Sequence, residues 1–194
     1  MTARQNWLRR CVAMMMAVVM VLTTNISTVF ASEKQSTREI PETKPTAEIP
    51  ENIADGTYEV PVYLYQKDAD IVSDLNSAID HTAKLVVENG MGTMYLGLHE
   101  IPFTEVTGYI TEFAYYDPDG TQWGVAVDEN GTAVNAFTGE EEQTLKKIHF
   151  ALSTTKCDIT CQMVVDVMED IQDARLVFDY SGLAEYGGGL TLPY

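Results

Sequence analysis

A chain of 194 residues that is 45% hydrophobic can bury one core of ordinary domain size and still have residues to spare. Its 29 acidic residues against 12 basic ones give a net charge of -17, which excludes nucleic acid as a partner and works against drawing in an anionic ligand.

In chain order, Arg4, Arg9 and Arg10 precede an apolar run over residues 12–22, and Val29 and Ala31 are small residues where signal peptidase needs them. The run is short for a membrane span, so residues 1–31 are predicted to be a secretory signal peptide, with no transmembrane anchor in the mature chain. Cys11 lies before the apolar run, whereas a lipoprotein cysteine follows one. Residues 32–52 mix Pro, Glu, Thr and Lys without an apolar period, the composition of a disordered linker. Residues 53–184 are expected to fold, and residues 185–194, with three consecutive glycines, to form a flexible tail.

The folded part opens at Asp55-Gly56 with TYEVPVYLY, a strand whose Pro61 interrupts the ladder of donors and so predicts an edge position. In residues 70–78, DIVSDLNSA, the positions of Ile71, Leu75 and Ala78 predict a turn or two of helix over one end of the sheet. Residues 81–88 and 94–98 read as a hairpin around Asn89-Gly90, and residues 108–116 as a strand stopped by Asp117-Pro118-Asp119-Gly120. Residues 123–127 and 132–137 are expected to pair about a turn at residues 128–131, ahead of the acidic cluster at residues 140–142 and a strand over 148–152. Residues 159–168 and 173–180 form the last hairpin, joined by a tight turn at Glu169 and Asp170. About eight short strands at such spacings predict an all-β antiparallel sandwich with one short helix at its lip.

Cys157 and Cys161 on one strand lie roughly 13 Å apart, too far for a disulfide, whereas a turn there permits one. Buried thiols and a loop bridge both fit the pattern. Tyrosines 63, 65, 95, 109, 115 and 116 offer phenolates or stacking surfaces, yet strand aromatics commonly fill cores. His81, His99 and His149 show no metal-ligand spacing, and the Asp-rich turns lack the twelfth-position acid of a calcium loop. No nucleophile motif, phosphate loop or placeable carboxylate pair is present, so no enzyme is expected.

Four segments, DGTYEVPVYLY at Asp55, SDLNSAIDHTAKLVVENG at Ser73, TGYITEFAYYD at Thr107 and DARLVFDYSGL at Asp173, together resemble the near-iron transporter, or NEAT, domain. The resemblance implies an immunoglobulin-like sandwich, secreted or on the surface of a Gram-positive cell, that takes haem between a short helix and the final hairpin for iron acquisition. Other members bind a haemoprotein instead, and a module that holds a haemoprotein or another cell-surface protein is the alternative expectation. No cell-wall sorting signal follows the domain. Carried over residue by residue, the resemblance assigns the lip to residues 73–77, with Ser73, Leu75 and Asn76, and the pocket wall to residues 163–176, with Val164 and Asp166. Haem-binding members carry Tyr-x-x-x-Tyr on the last hairpin, where this chain has Met168 and Gln172. The thioether of Met168 is the candidate axial ligand to iron; it suits the reduced metal and offers ferric haem no anionic oxygen. Met168 also reads as a packing residue and Gln172 as a rim residue.

Overall fold

In a computed structural model the described residues are 40–50 and 53–183. The expected signal peptide and tail lie outside them. All the described residues belong to a compact unit that begins at residue 37.

Eleven strands run in the order β1 (Gly56–Gln66), β2 (Thr82–Glu88), β3 (Met91–Gly97), β4 (Ile101–Pro102), β5 (Thr107–Gly108), β6 (Ile110–Tyr116), β7 (Gln122–Gly124), β8 (Ala126–Val134), β9 (Glu141–Ala151), β10 (Asp158–Val165) and β11 (Gln172–Phe178). Nine of them form an antiparallel sequence β7-β6-β10-β11-β1-β2-β3-β9-β8, and β4 pairs with β5 as a separate ribbon. The immunoglobulin-like sandwich arises because β1 serves two sheets: residues 56–61 pair with β2, and residues 62–66 pair with β11.

Pro61 therefore lies in the middle of the strand order and not at an edge, which corrects the expectation from its missing donor. It occupies the switch point. Its carbonyl accepts from the Asp179 N–H at 2.8 Å, while the next residue, Val62, donates to the His81 carbonyl on the other side at 3.2 Å. At the residue where the ladder changes partner, a backbone nitrogen without a hydrogen leaves no donor orphaned.

Alternation along β2, β3 and β10 sends every second side chain inward, as period two requires. The core joins Val60, Leu85, Met94, Ile148 and Phe150 of one sheet to Leu64, Leu176, Phe178, Ile159 and Met163 of the other. Tyr115 of β6 reaches across to β9, its ring 4.7 Å from that of Phe150 and its hydroxyl donating to the Ala151 carbonyl. Beyond residue 61, β1 is buried on both faces, because Tyr63 and Tyr65 pack with Val177 and Val72 under the chain that follows. The face that carries Tyr63 and Tyr65 is thus covered.

The turns divide by their chemistry. Asn89-Gly90 adopts positive φ at both residues, 52° and 76°, the geometry a two-residue hairpin requires. The expected turn at residues 128–131 does not form. β8 runs straight through Asn130-Gly131 in register with β9, with irregularities between Val127 and Asn130. The reversal falls instead over residues 135–139, where the Asn135 side-chain oxygen accepts from the Phe137 and Thr138 N–H groups and Gly139 adopts φ 72°. Asn130-Gly131 suits a turn locally, but pairing along nine residues of β8 outweighs that preference.

Residues 40–50 differ from the free linker expected of them. They lie along the domain, with Ile49 only 3% exposed and its N–H donating to the Thr155 carbonyl at 2.9 Å. One apolar side chain and a few charge-assisted contacts suffice to hold a short extended segment that composition alone marks as unfolded.

Candidate functional site

The lip begins where β1 ends. Gln66 donates to the Ile71 carbonyl and Ser73 to the Leu64 carbonyl, so the chain folds back beside β1. Helix is confined to a 3-10 turn, Asp74–Ala78, the turn or two that the pattern of residues 70–78 predicts. Ser73 caps it, its hydroxyl accepting from the Leu75 N–H at 3.2 Å. Asn76 is buried, and its side-chain oxygen accepts from the Leu64 N–H at 2.7 Å, filling the place in the ladder of β1 that no strand occupies. Its amide and carbonyl both meet Nε2 of His81 at 3.1 Å. Leu75 is buried against the core. Of the three lip residues singled out in the sequence, Ser73 and Asn76 thus form the lip, and Leu75 seats it.

The final hairpin is wider than the tight turn expected at Glu169 and Asp170, since residues 166–171 all lie between β10 and β11. Its base is held from two sides. Asp166 exchanges hydrogen bonds with Tyr109, accepting from the Tyr109 N–H at 2.7 Å and donating its own N–H to the Tyr109 carbonyl at 3.1 Å. The Asn135 amide donates to the Asp166 carbonyl at 2.9 Å, which brings the tip of the β8–β9 hairpin to the same end of the sandwich. Met168 is half-buried against the core, and its N–H donates to the Val165 carbonyl. Gln172 opens β11 opposite Met163 and donates to the Asp170 carbonyl at 2.6 Å. Val164 faces the outer side of the sheet, where it lines a concavity of about 100 Å³ with Glu112, Phe113, Gln162 and Ile171.

Lip and hairpin are joined through Arg175. Its guanidinium donates to the Gln66 and Ala69 carbonyls and pairs with Asp70 at 2.9 Å and Asp158 at 2.8 Å. The role of Arg175 carries no spacing signal, because it joins residues 66–70 to Asp158 across more than 80 residues of chain. Exposed apolar side chains surround this end: Ile71, Phe103, Phe137 and Ile171.

The donors present meet only part of what haem iron asks. Neither Met168 nor Gln172 carries a phenol, and the tyrosines whose titration is perturbed all move away from phenolate. Burial raises Tyr65, Tyr109 and Tyr115 above the ordinary phenol value, and fully buried Tyr180 well above it. A thioether fits reduced iron. The cations on this side, Lys44, Lys67 and Arg175, are each already paired with a carboxylate, so an anionic ligand would keep its charged groups toward solvent.

The sequence matches the NEAT family, described as an iron transport-associated domain, over residues 51–181. The fold is similar to that of the NEAT5 domain of IsdX2, a B. anthracis hemophore solved in complex with heme, at 16% identity and a TM-score of 0.50 over 67% of this chain and all of that one. A mutant of that NEAT5 domain, also solved in complex with heme, matches over 68% of this chain and all of that one, at 16% identity and a TM-score of 0.46. Comparison with curated proteins gives no match. With the family's pattern covering most of its length, this chain belongs to the NEAT domain family.

Proposed function

We propose that this domain is a secreted or surface-exposed haem-binding module of iron acquisition, taking haem or a related tetrapyrrole between the 3-10 lip and the final hairpin. The observation that carries the reading is the match to the iron transport-associated family over residues 51–181; by the resemblance, Met168, half-buried on the final hairpin, would take the place of the family's ligand. Ser73, Leu75 and Asn76 would shape the lip, Val164 and Asp166 the wall, and Gln172 the rim behind the thioether. Haem, when bound, would supply the iron that is carried; the lip and hairpin would shield it, and Met168 would hold the iron through its thioether. Thioether ligation favours ferrous over ferric iron.

Titration of the purified domain, once with haemin and once under dithionite, tests this. Saturable binding with a shifted Soret band is expected, stronger in the reduced state, and Met168→Ala should remove the reduced-state signature. No shift in either state overturns the reading.

The second reading is a NEAT module without haem that holds a haemoprotein or another cell-surface protein. It is favoured by the absence of a phenol at both hairpin positions, together with Ile71, Phe103, Phe137 and Ile171 standing exposed at the same end. Direct binding to haemoglobin that Ile171→Glu abolishes would support it, and haemin binding without haemoglobin binding would count against it.

A further inference from the structure

Residues 40–50 lie ahead of the family's matched range, yet they are tied to the lip. Lys44 is the link. Its ammonium sits 3.0 Å from Asp158 at the start of β10 and 3.0 Å from Asp70, the residue three before the Ser73 cap. Arg175 pairs with the same two carboxylates, so two cations and two anions close a compact square between the strap, the loop before the lip and the final hairpin. The side chains of Lys44, Arg175 and Asp158 are 18%, 14% and 24% exposed, while that of Asp70 is 62% exposed. The Asp70 carboxylate therefore keeps its place through these two cations, while the backbone on either side of it is held at the Ala69 and Ile71 carbonyls.

Further contacts fix the strap along the same side. The Pro45 carbonyl accepts from the Cys157 thiol at 3.3 Å, Thr155 donates to Glu48, and Ile49 is buried. If Lys44 leaves, Arg175 must serve both carboxylates alone, and their repulsion acts on the one that is free to move, Asp70 on its loop. Motion there passes directly to the capped turn, since only residues 71–73 intervene and each hydrogen-bonds or pairs along β1.

We propose that residues 40–50 are a strap that sets the position of the lip, with Lys44 as its positioning residue, so that a change in the chain ahead of the domain is felt at the site. The strap-to-lip step stands independently of the ligand. Its consequence for haem rests on the function proposed above.

The test uses the full chain and compares wild type with Lys44→Ala, Lys44→Arg and, as a control on an exposed ion pair of β8, Glu129→Ala. Hydrogen exchange is followed without ligand over residues 66–80 and over β2 and β3. Lys44→Ala should speed exchange over residues 66–80 by about fivefold, the scale of one partly exposed ion pair, while β2 and β3 stay unchanged. Lys44→Arg should restore protection, and Glu129→Ala should leave the lip as it was. Unchanged exchange over 66–80, or an equal rise throughout the domain, overturns the proposal. Haemin dissociation, measured on the same proteins, is expected to quicken by a similar factor in Lys44→Ala alone. Wild type that binds no haemin sinks the haem reading and leaves the strap supported by exchange. Equal dissociation rates despite a loosened lip overturn the link from strap to site.

Discussion

Met168 and Gln172 are fixed on the last hairpin by bonds to the Val165 and Asp170 carbonyls, and neither side chain is a phenol. The two cysteines show the opposite case, in which reactive chemistry is withheld by position. Cys161 is fully buried on β10, and desolvation pushes its thiol up to about 12; Cys157 is raised for the same reason, and its thiol donates to the Pro45 carbonyl. Both are free. Thiolate is the reactive form, so neither should be labelled by a thiol reagent at pH 8 in the folded protein, and Cys157 and Cys161 should both become reactive in denaturant. Rapid native labelling of Cys161, read by peptide mass, would contradict the burial described. The sequence left buried thiols and a loop bridge equally open, since C-x-x-x-C does not say whether a strand passes through it. β10 begins at Asp158, just after Cys157, and both thiols are buried and free.

At the scale of elements, the strands and most turns were legible because alternation and the pairs Asn89-Gly90 and Asp119-Gly120 are local signals. What stayed hidden was decided by partners far along the chain: β8 running through Asn130-Gly131, Pro61 at a switch between sheets, and the strap at residues 40–50. The lip was legible in position and as a turn or two of helix; that Val72 ahead of it pairs back onto Tyr65 was not. Close packing between elements also sets what the site end tolerates. A Cβ on Gly108 of β5 would come within 2.7 Å of Val167, 2.8 Å of Phe103 and 2.9 Å of Val165, wedging the β4–β5 ribbon from the base of the final hairpin. Gly108→Ala is expected to cost about 1–3 kcal/mol, measured by urea unfolding, and to loosen the Tyr109–Asp166 exchange of hydrogen bonds. The square of charges adds a pH dependence of known sign. Arg175 and then Lys44 hold Asp70 below the ordinary carboxylate range, so its contribution is present above the unfolded pKa and is lost as pH falls through the lower folded value. Asp158 and Asp70 raise Lys44, whose contribution is present below its unfolded pKa and is lost as pH rises through the higher folded value. Exchange over residues 66–80 should therefore be most protected between these limits, once corrected for the intrinsic rate, and protection that improves toward strong acid would refute the assignment.

For the whole molecule, the decisive feature is one strand shared by two sheets. β1 gives its first half to β2 and its second to β11, and the opposite ends of the strand order, β7 and β8, are separated by Val125 alone. Neither sheet can lose β1 without the other losing its neighbour, and the inner faces of both sheets form one core. Two separately melting halves are thus not available to this chain, and unfolding should be all-or-none. Leu64 tests the point, because it is fully buried on the second half of β1 and its backbone also holds Asn76 of the lip. Leu64→Ala should destabilise the domain by about 2–5 kcal/mol, the cost of a large-to-small change in a packed core. In a Trp7→Phe background, Trp123 on β7 reports from the end of one sheet, while far-UV circular dichroism reports both. The two probes should give one midpoint in wild type and one, lower, in Leu64→Ala. Midpoints that separate in the variant would mean that the half built on β2, β3, β9 and β8 survives alone, and the shared strand would then not be what makes the sandwich a single cooperative unit.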